Sequence, residues 1–239
     1  MANHNGMRWP ALFRRSPPRP DFVQVYLDAP RPNPEQPWRQ APYTVLDLET
    51  SGLDPRRDAI LAIGLVNIEH GRIALATSWQ TLVQPPPGMA VASQSIRVHG
   101  LLRNDLAQAP PLAEVLPRLL ERLRGRVLVV HVAAVDIAFL HRAMKGAYRV
   151  GLRGPAVDTA RLAATLHYYR RFSRSHADAP PTVNLRGLAE EVDVPVYPEH
   201  DALNDAVTTA QVFLALGTRL ERHGVATLHS LIRAGECVR

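Results

Sequence analysis

Cysteine and lysine are almost missing from this chain, which carries one of each, Cys237 and Lys145. A single cysteine excludes an internal disulfide and a cysteine-based zinc site. Long apolar runs are missing too: nothing approaches the roughly 18 consecutive residues that a spanning helix needs. The opening stretch, MANHNGMRWPALFRRSPPRP, lacks the apolar segment of a secretory signal. These absences leave a soluble cytoplasmic protein, without a membrane partner, as the expectation. With lysine so scarce, the remaining basic residues are arginine, whose planar fork suits bidentate phosphate contact. The same bias is also a compositional habit that some genomes impose. The formal charge of +6 permits a nucleic-acid partner without establishing one.

Proline is plentiful but concentrated. Residues 1–40 contain RRSPPRP and DAPRPNPEQPWRQAP, in which proline removes backbone donors and fixes φ. Half the net charge lies in this segment. It reads as an extended proline- and arginine-rich arm with a short amphipathic piece around Phe22 to Leu27. A poorly ordered tail and an arm docked on the core or on a protein partner both fit. Residues 41–239 are regular, and 46% apolar content is enough to fill a core. YTVLDLE, AILAIGLVNIE and GRIALATSWQTLVQ read as three strands, with EHGR (69–72) a hairpin turn between the last two. PLAEVLPRLLERLRG has helical spacing and RVLVVH is a fourth strand. VDIAFLHRAMKG, AVDTARLAATLHYY, NLRGLAEEV and HDALNDAVTTAQVFLALGTRLERHG follow as helices, one opened by a short strand. Three consecutive strands, then alternating strand and helix, give an α/β fold with a mixed sheet flanked by helices. Nothing indicates an oligomeric state.

The chemistry concentrates in VLDLETSGLDP (45–55). Residues two apart on a strand share a face, so Asp47 and Glu49 lie side by side at the end of an apolar element. Two crowded, partly desolvated carboxylates raise each other's pKa, and a cation between them resolves the conflict. Asp136 follows the fourth strand into the first turn of the next helix, at the sheet end where ligands bind. Alone, it reads equally as a helix-start acid. In PEHDALNDA, Asp205 faces inward from the long helix and His200 stands at or just before its start. Five positions are about one turn plus 140°, so the two would not stack on one face. A capping or surface role is the commoner one for such a histidine.

Together, a D-x-E-T strand end, an aspartate at a strand–helix junction and a late H-x4-D resemble the three motifs of the DEDDh (DnaQ-like) 3′→5′ exonucleases. That group includes the epsilon subunit of bacterial DNA polymerase III, and the likeness runs from about Tyr43 to Leu220. The resemblance implies a ribonuclease H-like fold. It implies that Asp47, Glu49, Asp136 and Asp205 hold two Mg²⁺ or Mn²⁺ ions, with His200 as general base. It also implies a contact to the 3′ end from His99 in IRVHGL. Thr50, Ser51 and Gly52 follow the acid pair in a turn whose backbone could approach the terminal nucleotide, while ordinary turn chemistry explains the glycine just as well. Histidine at 200 separates the chain from the DEDDy branch, whose tyrosine would fall at Asp201. The second motif departs from the family's His-Asn and Phe-Asp, reading His131-Val132 and Val135-Asp136; an altered grip on substrate is the expectation. HYYRRFSRSH (167–176) suits either strand stacking or the end of a helix's packing face.

The function expected is a stand-alone or accessory exonuclease of repair or proofreading, releasing nucleoside 5′-monophosphates from single-stranded DNA. Trimming of RNA by the same chemistry and a non-catalytic nucleic-acid or protein-binding module are the alternatives. Against the module stands the liability of buried carboxylates without a cation.

Overall fold

The computed structural model describes residues 19–89, 100–173 and 182–236. Along the chain run α1 (Asp21–Asp28), a short 3₁₀ turn (Trp38–Gln40), β1 (Tyr43–Thr50), β2 (Ile60–Glu69) and β3 (Arg72–Leu82). After them come α2 (Arg103–Gln108), α3 (Leu112–Leu123), β4 (Val127–Val130), α4 (Ala134–Tyr148) and β5 (Ala156–Asp158). The remainder is helical: α5 (Thr159–Ser173), α6 (Leu185–Glu191), α7 (Ala202–Glu221) and α8 (Leu228–Ala234).

Among the described residues the strands form one sheet, ordered β3-β2-β1-β4-β5. β1 pairs antiparallel with β2 and parallel with β4, so it carries the switch of direction at the centre of the sheet. β2 and β3 form the expected hairpin; His70 and Gly71, with φ of 49° and 70°, make a two-residue loop whose twist matches the strands. Both faces of β1 are covered, which is why Tyr43, Val45, Leu46 and Leu48 are apolar on either side of it. Tyr43 and Val45 pack with Val66, Ile68 and residues of α5, α7 and α8, such as Phe213. Leu46 and Leu48 point the other way, into a core with Ile63, Leu65, Leu116, Leu119 and Phe139 from α3 and α4. The mixed sheet flanked by helices is the architecture expected from the sequence.

The proline-rich segment from residue 19 onward lies on this core. The expected amphipathic piece is α1, which buries Val23 and Tyr26; the Tyr26 hydroxyl accepts from the Arg153 N–H at 2.9 Å. Trp38 is fully buried, edge-on to Phe213 at 5.8 Å between centroids. Its carbonyl accepts from the Tyr43 hydroxyl at 2.6 Å. Of HYYRRFSRSH, Tyr169 completes a packing face by stacking on His223 at 5.1 Å, and Arg170 lies 3.8 Å from Glu191. Residues 174–176 of that stretch lie outside the described residues, as do 1–18. Among the described residues no helix is long and apolar enough to cross a membrane.

Candidate active site

β4 pairs with β1 only from Tyr43 to Val45, leaving the last residues of β1 without a strand on that side. The acids sit there. One oxygen each of Asp47, Glu49 and Asp205 lie within 4.8 Å of one another. Asp47 and Glu49 share the α7 face of β1 by strand alternation, and α7 supplies Asp205 from its first turn. Asp136 lies outside that close trio. It stands in the first turn of α4, buried, and its carboxylate accepts from the Leu48 N–H and from its own. It thus caps a β1 donor that no strand pairs, while its charge reaches Asp47.

The electrostatics are those of crowded, buried acids. Burial first, then the charges of Asp136, Glu49, Asp205 and Asp201, hold the Asp47 carboxyl well above the usual carboxylate range. Burial lifts Asp136 to about 8 despite its two N–H donors. Asp205 is raised to about 6, again mainly by burial, with the His200 N–H pulling the other way.

His200 is exposed and precedes the helix instead of belonging to it. The expectation of a helical angle between His200 and Asp205 is therefore replaced by a turn. His200 takes φ 67°, and its N–H donates to Asp205 Oδ2 at 2.9 Å. Asp201 caps α7, its Oδ1 accepting from Leu203 and Asn204 at 3.1 and 2.9 Å. Thr50 and Gly52 open the loop after β1, where the Thr50 hydroxyl donates to the Gly52 carbonyl at 2.7 Å. A Cβ on Gly52 would come within 2.5 Å of the Asp58 carboxylate, so a side chain there would have to displace Asp58 from its bonds to Ser51 and Asp54. His99 lies outside the described residues.

Two residues that shape the site were not singled out from the sequence. Asp158, buried at the end of β5, accepts from the N–H groups of Val132, Ala133 and Ala160 at 3.0, 3.1 and 2.9 Å. It fastens the turn that delivers Asp136. The available signal was an acid between a short strand and a helix. Gly64, in the interior of β2, is the other; a lone glycine inside a strand signals close backbone approach. His131 bridges the same region, with Nδ1 2.8 Å from the Thr159 hydroxyl and Nε2 2.9 Å from the Val183 carbonyl. A carbonyl only accepts, so Nε2 carries the proton and Nδ1 accepts from Thr159. Burial lowers the pKa of this ring. Of the two departures from the family motif, Val132 takes φ 53° and is partly exposed, and Val135 packs against the core under α4.

Comparison with known proteins identifies the family. A family model described as an exonuclease, RNase T, matches residues 44–213. The chain is similar to DNA polymerase III PolC-type of Thermotoga petrophila, at 31% identity over 194 residues, covering 81% of this chain and 13% of that protein. It is also similar to a DNA polymerase III subunit epsilon-like protein of Rhodobacter capsulatus, at 32% identity, covering 83% of this chain and 27% of that one. It therefore spans a small part of these relatives' length. Its fold is that of E. coli exonuclease I, solved in complex with a dA16 oligonucleotide, with a TM-score of 0.63 at 13% identity, covering 77% of this chain and 42% of that chain. With a ribonuclease H-like fold and a family match over most of its length, the chain belongs to the RNase T family of exonucleases.

Proposed function

We propose that this protein is a metal-dependent 3′→5′ exonuclease acting on single-stranded DNA and releasing nucleoside 5′-monophosphates. The observation that carries the reading is the carboxylate trio of Asp47, Glu49 and Asp205, with oxygens within 4.8 Å and the charge of Asp136 acting on Asp47. Burial and neighbouring charge hold Asp47, Asp136 and Asp205 toward their protonated forms, and a set of four crowded carboxylates fits hard divalent cations, which take oxygen ligands. Asp47, Glu49, Asp136 and Asp205 would hold two Mg²⁺ or Mn²⁺ ions. When bound, such ions supply charge stabilisation at the scissile phosphate and at the attacking and leaving oxygens.

The chain's own groups do the rest. Exposed at the mouth of the site, His200 accepts the proton of the attacking water and hands it to solvent, a task that an imidazole suits. Its turn onto Asp205 ties the proton acceptor to the carboxylate group. Thr50 and Gly52 line the loop beside the acids, and His99 would join them at the terminal nucleotide. DNA is favoured over RNA because the relatives are DNA polymerase III proteins and the fold is shared with an exonuclease solved on an oligodeoxynucleotide.

The test uses 5′-labelled DNA and RNA of one sequence, in Mg²⁺ and in Mn²⁺. A ladder shortening from the 3′ end, faster on DNA, is expected. A faster RNA ladder would reassign the substrate. Label released first as a mononucleotide would reverse the polarity, and no ladder on either strand would leave a binding module as the reading.

A further inference from the structure

The pairing register of the sheet places Asp47 opposite Gly64, and Gly64 opposite Gln80. Residues directly opposed in antiparallel pairs point to the same face. A single row therefore runs across β1, β2 and β3: a carboxylate, a gap, an amide. The start of α7 lies on that row. A Cβ built on Gly64 would stand 2.1 Å from the Ala202 carbonyl carbon, 2.2 Å from its oxygen and 2.3 Å from the Leu203 nitrogen. These are backbone atoms, so no rotamer change relieves the clash. On the far side of the gap, Gln80 Nε2 donates to Asp201 Oδ2 at 2.8 Å. The other oxygen of Asp201 caps α7, so the amide grips the helix at its cap.

We infer that Gly64 and Gln80 are positioning residues for the catalytic centre. The gap lets the start of α7 sink onto the sheet, the amide holds it there, and the depth of that docking sets where Asp205 meets Asp47 and Glu49. This rests on the reading of the trio as a metal centre. Asp205 accepts from the His200 N–H and donates its own N–H to the Asp201 carbonyl, so the displacement moves ligand and proton acceptor together. A Cβ at Gly64 drives that unit outward by at least about 1 Å before ordinary carbon contact is restored. A site of this kind tolerates about half that error.

Mn²⁺ binding, followed by the EPR signal of the free ion well below each melting temperature, tests the inference in four proteins. Wild type should bind. Gly64→Ala, with an unchanged circular dichroism spectrum, should bind about 10- to 100-fold more weakly, the loss expected when support around metal ligands is disturbed. Gln80→Ala, a surface change, should bind about 3-fold more weakly. Gly217→Ala is the control. It presses on the Trp38 ring at 2.8 Å in the later part of α7, and it should lower the melting temperature while leaving Mn²⁺ affinity alone. Folded Gly64→Ala with wild-type affinity overturns the inference, as does an equal loss in Gly217→Ala. If Gly64→Ala does not fold, Gln80→Ala decides, and wild-type affinity there overturns it. Absence of binding in wild type refutes the metal centre itself and this inference with it, an outcome distinct from failure of the variants alone.

Discussion

Val132 is a β-branched residue held at φ 53°, a conformation that asparagine tolerates far better. The resembling family has asparagine at this point of its second motif. Val132→Asn should therefore stabilise the protein by about 1 kcal/mol through relief of backbone strain, seen as a higher midpoint in urea unfolding with an unchanged slope. Asp158 has the opposite character. Removing its carboxylate strands three N–H groups at the turn that carries Asp136. Asp158→Ala should cost about 2 to 4 kcal/mol, since an orphaned buried donor costs about 1 to 3 kcal/mol and only the Ala133 N–H is fully buried, the other two being open in part to water; Asp158→Asn should cost less. Strand alternation made Asp47 and Glu49 legible in the sequence, because their spacing is local and their company apolar. Asp158 was not legible: its partners come from another strand–helix junction, 25 and 26 positions away.

Among elements, the start of α7 is the most consequential. From the sequence, the helix and the inward face of Asp205 could be read. The turn at His200 could not, since a left-handed histidine follows from its bond to Asp205 and not from its own preference. The gap at Gly64 depends likewise on which helix lies above it. The arm shows a similar divide. Its amphipathic piece was legible as α1, whereas the burial of Trp38 depends on the space left by Gly217 and on the edge of Phe213. Trp38 fastens the segment to the long helix by its ring and to the loop before α8 by its backbone N–H, which donates to the Ala226 carbonyl. Trp38→Ala should destabilise the protein by about 3 to 5 kcal/mol, as large-to-small core substitutions do. Thermal melting checks this, and residual exonuclease activity at low temperature would separate stability from catalysis.

For the whole molecule, the carboxylate cluster links stability to pH. In the metal-free protein Asp136 titrates near 8 and Asp205 near 6, both raised from 3.8. The fold binds these protons more tightly than the unfolded chain does. The stability they contribute is complete below about pH 3.8 and is lost as pH climbs through 6 and then 8. Between pH 6 and 8 the metal-free protein should lose on the order of 2 kcal/mol, chiefly at Asp136. Saturating Mn²⁺ should flatten the dependence, because cations favour the ionised carboxylates; melting curves at the two pH values, with and without metal, check it. The most direct measurement of all is the initial rate of nucleotide release from single-stranded DNA in Mn²⁺, with wild type beside an Asp47→Ala, Glu49→Ala double variant of matching circular dichroism. The expected rate is lower by about 1,000-fold or more, since cation-derived stabilisation is worth several kcal/mol and each 1.4 kcal/mol is tenfold. A folded double variant within about tenfold of wild type would contradict the assignment of these acids as the catalytic centre.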